Sequence, residues 1–354
     1  MFSKSHFLTR ALSFLSLGFL AAVPAAAEPS APLYEAQYGN LAMGTLVSAR
    51  VMSPDKAAAD RFEALLADKI DAYETLFTVH HEGPLYEVNR RAGDWVDVDC
   101  RIASLAETAK TIARDSDRAF EPTIGALVNV WKIGFGGEKV PERAAIDGAL
   151  QKVDYTRIQT RRQEGKCAMR IGKGQSIDLG AIAKGWIGTA LIADLKAAGA
   201  TNAVIDLGGN VALLAKSPSG QDWKVGIQRP DRERGEILAV VRAADESVIT
   251  SGAYERKIET NGKTYGHILS ARTGMPAATD IASVTIVDQD GARADGWCTA
   301  LFAMGVQKAL GVMSRHKDLG VLILDQSLKK AWVSRCIADR VRLLDESIAL
   351  TVVE

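Results

Sequence analysis

The sequence predicts an α+β fold in a single domain, and three observations carry that prediction. Runs such as Leu46-Val47-Ser48-Ala49-Arg50-Val51 and Ser283-Val284-Thr285-Ile286-Val287-Asp288 have the residue types and spacing of strands. Several longer stretches instead repeat their apolar residues at the period of a helix. No internal repeat, low-complexity tract or linker-like stretch divides the chain. With 354 residues, 47% of them apolar and 24% charged, the chain can build a sizeable core, which excludes collagen, coiled coil and disorder. The 43 basic and 43 acidic side chains balance, so there is no global field to attract nucleic acid or an anionic membrane. An anionic ligand has to be met locally.

At the start of the chain, Lys4 and Arg10 precede an apolar run, Ala11 to Leu20, and then Pro24-Ala25-Ala26-Ala27. That is the layout of a secretory signal cleaved after Ala27. The run is short and Pro24 interrupts it, so it does not read as a membrane anchor. No Cys follows it for lipid attachment, and Arg10 lacks the neighbouring Arg of a twin-arginine signal. The expectation is a Sec-exported, soluble, periplasmic protein with no anchor after cleavage, an extension over residues 28–40 and the domain over 41–354. Cys100, Cys167, Cys298 and Cys336 show no C-x-x-C spacing, which disfavours zinc or a redox motif. Disulfides and buried thiols both remain open for them.

The strand at 46–51 leads into a helix over 55–77, with Ala58, Phe62, Leu65, Leu66, Ile70 and Tyr73 on one face. A second helix over 103–115 carries Leu105, Ala109, Ile112 and Ala113. It stops before the loop Phe120-Glu121-Pro122-Thr123-Ile124-Gly125, where Pro122 opposes continuation. Residues 178–198 form a third helix through Ile182, Trp186, Ile187, Leu191 and Leu195, closed by Gly199 and followed by a buried strand at 203–207. Short β-type runs fill 223–251. A helix from about 295 and a strand at 321–324 close the chain.

Four glycine-bearing segments are candidates for chemistry. Asp178-Leu179-Gly180-Ala181-Ile182-Ala183-Lys184-Gly185 opens a helix, and its free amides together with Lys184 suit a phosphate, although the Walker spacing is absent and, taken alone, the segment reads more readily as a tightly packed helix entry. Asp206-Leu207-Gly208-Gly209-Asn210 follows a strand, where paired glycines allow close backbone approach or simply make a turn; G-x-G-x-x-G is missing, so a Rossmann site is not supported. The segment from Tyr265 to Pro276 carries His267, one of five histidines, which taken alone reads as structural more readily than catalytic. In Ala294-Asp295-Gly296-Trp297-Cys298-Thr299, Asp295 sits where a helix would begin. Thr299 lies four residues on, so the two oxygens share a face and make a partial shell for Mg²⁺, with helix capping as the plain alternative for Asp295.

Taken together and in this order, these segments resemble the ApbE family of FAD:protein FMN transferases, over most of the chain after residue 43. The family pattern has M-G-T, F-D-P-T-x-G, D-L-G-x-I-A-K-G, G-G-N, S-G-x-Y-E-R, H-I-x-D-P-x-T-G and A-D-x-x-x-T. Matching them are Met43-Gly44-Thr45, Phe120-Glu121-Pro122-Thr123, Asp178 to Gly185, Gly208-Gly209-Asn210, Ser251-Gly252-Ala253-Tyr254-Glu255-Arg256, His267 to Gly274, and Ala294 to Thr299. Glu121 replaces an Asp, Ser270-Ala271 replace D-P, Phe77-Thr78-Val79 stand where S-T-Y is common, and Cys298 stands where some members are acidic.

The resemblance implies an ApbE-like, T-fold-like domain with mixed or antiparallel sheets and packed helices. It implies Mg²⁺ held by the main-chain oxygen of Ala181 and the side chains of Asp295 and Thr299, and FAD contacted by Met43, Ala119, Phe120, Glu121, Asp178, Lys184 and His267. His267, Lys184 and Asp295 are the implied catalytic residues. The implied reaction moves FMN from FAD to a threonine or serine hydroxyl of an acceptor flavoprotein and releases AMP, a transfer that needs positioning and charge neutralisation above all. Two readings compete: an FAD pyrophosphatase giving FMN and AMP, and a non-catalytic periplasmic FAD-binding protein.

Overall fold

The structure, a computed structural model, describes residues 34–134, 136–137, 139–233, 235–252, 257–260 and 262–354. The signal segment with its cleavage site, and Ala253-Tyr254-Glu255-Arg256 of the S-G-x-Y-E-R match, lie outside the described residues.

In chain order, a hairpin of β1 (Tyr34–Ala42) and β2 (Thr45–Ser53) leads into α1 (Lys56–Phe77) and α2 (Pro84–Arg90). Then come β3 (Val96–Val98), α3 (Cys100–Asp115), α4 (Gly125–Trp131), α5 (Arg143–Leu150), β4 (Gln159–Gln163) and β5 (Lys166–Arg170). The middle of the chain holds α6 (Gly180–Ala197), β6 (Ala203–Leu207), β7 (Asn210–Leu214), β8 (Trp223–Gln228), β9 (Ile237–Ala243) and β10 (Ser247–Gly252). After β11 (Lys257–Thr260) and β12 (Lys263–Gly266) follow β13 (Ile281–Asp288), α7 (Gly291–Met304), α8 (Val306–Arg315), β14 (Gly320–Asp325), β15 (Lys330–Ser334), β16 (Val341–Leu343) and β17 (Ala349–Val353).

Nine strands form one sheet in the order β1-β2-β6-β7-β10-β13-β14-β15-β17, antiparallel except for β15 beside β17. Helices α1, α6 and α7 pack on one face. There Phe62, Leu66, Ile70, Ile182, Ile187, Leu191, Leu301 and Phe302 bury against Val47, Ile205, Leu207 and Ile249. The other face meets the small sheet β16-β9-β8 through Leu213, Val241, Val248 and Leu322. Both faces of the central strands are therefore apolar, which is why Ala203–Leu207 reads as an almost continuous apolar run.

Two tight turns put two of the glycine motifs side by side. Met43-Gly44 joins β1 to β2 and Gly208-Gly209 joins β6 to β7; all four residues have positive φ, as a two-residue primed hairpin turn requires. Because β2 pairs with β6, with Val47 opposite Leu207, both turns lie at the same end of the sheet. Thr45 packs so closely on Gly208 that a Cβ there would sit 2.0 Å from its Oγ1. Antiparallel pairing brings the last residue of β10 and the first of β13 to this end as well, with Asn210 opposite Ile249 and Gly252 opposite Ser283.

Helices α6 and α7 cross at two glycines. A Cβ on Gly185 would lie 1.9 Å from the Gly291 carbonyl oxygen, and one on Gly291 would lie 2.3 Å from the Gly185 carbonyl oxygen. Neither position has room for a side chain.

Three expectations are corrected. β1 begins at Tyr34, so residues 34–40, read as an extension, are a paired edge of the main sheet. The helix expected from about 295 begins at Gly291. Its cap is Asp290, whose carboxylate accepts the amides of Ala292 and Arg293 at 3.0 and 3.1 Å, which removes capping as a role for Asp295. The strand at 321–324 does not close the chain, because β15, β16 and β17 follow. Val341-Arg342-Leu343 is a three-residue run, and Ala349–Val353 lies at the sheet edge with mostly exposed residues, so neither carries a strong alternation of buried and exposed positions.

The glycine crossing makes a stability prediction. Gly185→Ala is expected to cost about 1–3 kcal/mol or more through overpacking, read as a lower urea midpoint at unchanged m-value. Gly148→Ala in α5, with nothing within 4 Å, is expected to be neutral or stabilising.

Candidate functional site

A cavity of about 1290 Å³ opens at the sheet end where the turns converge. All ten residues singled out from the sequence line it: Met43, Ala119, Phe120, Glu121, Asp178, Ala181, Lys184, His267, Asp295 and Thr299. They come from five separated segments of the chain.

The floor is set by α6 and α7. Asp178 Oδ1 accepts the Gly180 amide at 2.8 Å and its own amide donates to the Pro122 carbonyl at 2.8 Å, which ties the entry of α6 to the 120–123 loop. Ala181 and Lys184 then stand on the first turns of α6. At the crossing, the Gly185 amide donates to Asp295 Oδ2 at 2.9 Å. Asp295 is only 3% exposed, yet no described Lys, Arg or His forms an ion pair with it. Buried carboxylates without a cationic partner are costly unless a bound cation supplies the charge. Thr299 lies four residues further along α7 on the same cavity. Lys184 likewise makes no ion pair with a described residue, so its charge is available to a ligand.

Among the described residues there is no group of three His, Cys, Asp or Glu. A divalent ion here would depend on mixed oxygen donors: one carboxylate, one hydroxyl, a main-chain carbonyl, water and ligand phosphate. Mg²⁺ accepts such a set, and the residues present fit it. Cys298 takes no part. It faces the sheet, donating to the Val284 carbonyl at 3.1 Å, and burial pushes its thiol up to about 12, so it stays neutral.

The walls hold their residues in place by specific contacts. Met43 has φ of +52°, uncommon for a residue with a side chain, and its amide donates to Glu74 Oε1 at 2.9 Å. Glu74 also lines the cavity and was not singled out from the sequence, where it reads only as an exposed helical position. His267 follows β12, half buried, two residues before the loop that Leu269 and Pro276 close by an antiparallel bridge.

A family model described as the ApbE family matches residues 43–323. The chain belongs to the ApbE family. It is 34% identical over 326 residues to an FAD:protein FMN transferase of Treponema pallidum (strain Nichols), covering 88% of this chain and 90% of that one. Over 293 residues it is 33% identical to an FAD:protein FMN transferase of Klebsiella pneumoniae (strain 342), covering 82% and 89%. The crystal structure of the ApbE protein from Thermotoga maritima superposes with a TM-score of 0.78 at 27% identity, over 88% of this chain and all of that one.

Where the sequence departs from the ApbE pattern, local chemistry takes up the difference. The Glu121 carboxylate is buried. Its Oε1 accepts the Thr123 amide and hydroxyl at 3.1 and 2.7 Å, and its Oε2 pairs with Arg118 at 3.2 Å. Its charge is therefore committed to holding the loop that carries Ala119 and Phe120. Ser270 closes the turn after His267: its carbonyl accepts the Gly274 amide and its amide donates to the Met275 carbonyl, both at 2.8 Å. Trp131 Nε1 also donates to the Gly274 carbonyl, at 2.8 Å, and Ala271 is buried beneath. Phe77 reaches the cavity and packs edge-on against Trp186, with ring centroids 5.1 Å apart.

The Asp295 geometry predicts a metal-dependent melting point. Millimolar Mg²⁺ is expected to stabilise the protein, by about 2.7 kcal/mol at a hundredfold excess over Kd. Asp295→Asn, which keeps an acceptor for the Gly185 amide but drops the charge, is expected to fold and to lose that response in a thermal melt.

Proposed function

We propose that this protein transfers FMN from FAD to a threonine or serine hydroxyl of an exported acceptor protein, releasing AMP. The observation that carries the reading is the convergence of ten residues, from five segments at or beside the motifs of the ApbE pattern, on one cavity. The Treponema and Klebsiella relatives are named for the same reaction.

In this reading the acceptor oxygen bonds to the FMN-side phosphorus, the bridging P–O bond breaks, and AMP leaves with the bonding pair. Mg²⁺, bound by Asp295, Thr299 and the Ala181 carbonyl, would act as a Lewis acid on the pyrophosphate. Lys184 offsets charge that builds on the phosphate oxygens. His267 takes the hydroxyl proton, since imidazole gives and takes protons near neutral pH. Met43, Ala119 and Phe120 contact the dinucleotide through the two loops that Glu74 and Glu121 hold.

Support for a protein acceptor comes from the exposed side of the cavity, where Leu41, Leu46 and Ile237 are large apolar residues left open to solvent. Exposed apolar side chains grouped at one opening suit contact with another protein. In this reading the chain is cut after Ala27 and works in the periplasm; support for export comes from the disulfide between Cys100 at the start of α3 and Cys167 in β5, since such bonds persist in oxidising compartments. No described helix is long and apolar enough to cross a membrane. An exported flavoprotein or the exposed part of a membrane redox subunit fits as acceptor.

The test is incubation of the purified protein with FAD, Mg²⁺ and candidate exported flavoproteins, followed by denaturing gels viewed for flavin fluorescence. A fluorescent acceptor band, lost when its target hydroxyl is removed, together with AMP in equal amount, is the expected result. Fast AMP release without any acceptor and with no labelled band would overturn transfer in favour of hydrolysis.

A further inference from the structure

Asn210 is absent from the roles assigned above, although its motif, Gly208-Gly209-Asn210, belongs to the pattern. It lines the cavity, it is 5% exposed, and its Nδ2 is the one buried side-chain nitrogen or oxygen among the described residues without a hydrogen-bond partner. No described residue bonds its side-chain amide at all. An orphaned buried donor costs about 1–3 kcal/mol. Folding gains nothing from that cost, whereas a ligand oxygen would recover it.

The position of the amide indicates which ligand oxygen. Asn210 is the first residue of β7, fixed by the two-glycine turn, by Thr45 packed on Gly208, and by Asp206 Oδ1, which accepts the Gly209 amide at 2.6 Å. Two residues on, and so on the same face of the strand, Ala212 meets α6 at Gly188, where a Cβ would lie 3.0 Å from the Ala212 Cβ. Gly188 is one turn after Lys184 on the same side of α6. Since α6 is followed by β6, and β7 returns antiparallel to β6, β7 runs in the sense of α6. Stepping back from the Gly188–Ala212 contact, by one turn of helix and by two residues of strand, covers a similar length on each. Asn210 therefore stands at the level of Lys184, on the α6-facing side of the sheet.

We propose that the Asn210 amide donates a hydrogen bond to a non-bridging oxygen of the phosphoryl group being transferred, beside Lys184, and strengthens that bond as negative charge builds there. A half-turn of the amide exchanges its oxygen and nitrogen ends, and a phosphate oxygen selects the donor end. This inference rests on the transferase reading.

The experiment compares wild-type protein, Asn210→Ala and Asn210→Asp for AMP release from FAD with Mg²⁺, using an acceptor that wild-type protein labels, and for thermal stability without ligand. If wild-type protein labels no acceptor, the transferase reading itself fails, and the inference with it. With labelling established, Asn210→Ala is expected to lower kcat by about 10²–10³, to leave KM for FAD within about threefold, and to melt no lower than wild type because an unpartnered donor is gone. Asn210→Asp, which brings a negative charge and no donor, is expected to fall further than Asn210→Ala. Unchanged kcat in Asn210→Ala, a rise in KM alone, or a lower melting point with activity lost in proportion to folded protein would each overturn the proposal.

Discussion

The site depends on how closely α6 and α7 approach. Helices usually pack 8–10 Å apart, with side chains setting the distance, and here Gly185 and Gly291 take side chains out of the contact. The approach lets a backbone amide in the second turn of α6 donate to the carboxylate of Asp295 on α7. One hydrogen bond thus fixes a buried anion beside the helix that carries Ala181 and Lys184. The same amide satisfies only one carboxylate oxygen and supplies no full positive charge, so the remaining electrostatic demand faces the cavity.

The sheet gathers the remaining parts at that point. In an antiparallel sheet the turns of successive hairpins collect at the two ends, and here the Met43-Gly44 and Gly208-Gly209 turns lie at one end with the end of β10 and the start of β13. Segments far apart in sequence become neighbours with short connections and little freedom. The positive φ angles at the turns carry part of that constraint. At Met43, where no glycine relieves it, the Glu74 carboxylate holds the amide.

The departures from the family pattern show how a local network can absorb a change of residue. A glutamate in place of aspartate reaches one methylene further, and Glu121 uses that reach to engage Thr123 and Arg118 together. Thr123 in turn accepts the Asp154 amide at 2.8 Å, so the loop is braced from both sides. Ser270 and Ala271 close their turn with main-chain bonds and a buried methyl, which leaves the loop after His267 built without the usual proline.

The sequence alone determined the elements whose patterns are local: the long helices read over 55–77, 103–115 and 178–198, which the structure places at 56–77, 100–115 and 180–197, the central strands, and the glycine motifs that mark the turns. Its motif order also identified the family, and through it the residues that meet at the cavity. Only the tertiary structure decided that Asp290, not Asp295, caps α7, since both are acidic residues near the start of the helix and packing against α6 separates their roles. It also decided that Cys100 pairs with Cys167 while Cys298 stays a buried thiol, because cysteine spacing carries no information about which strand lies beside which helix. Glu74 was illegible for the same reason, and Asn210 was legible only as part of its motif. What gives each its role is a contact, or a missing one, with residues that only the folded chain brings near.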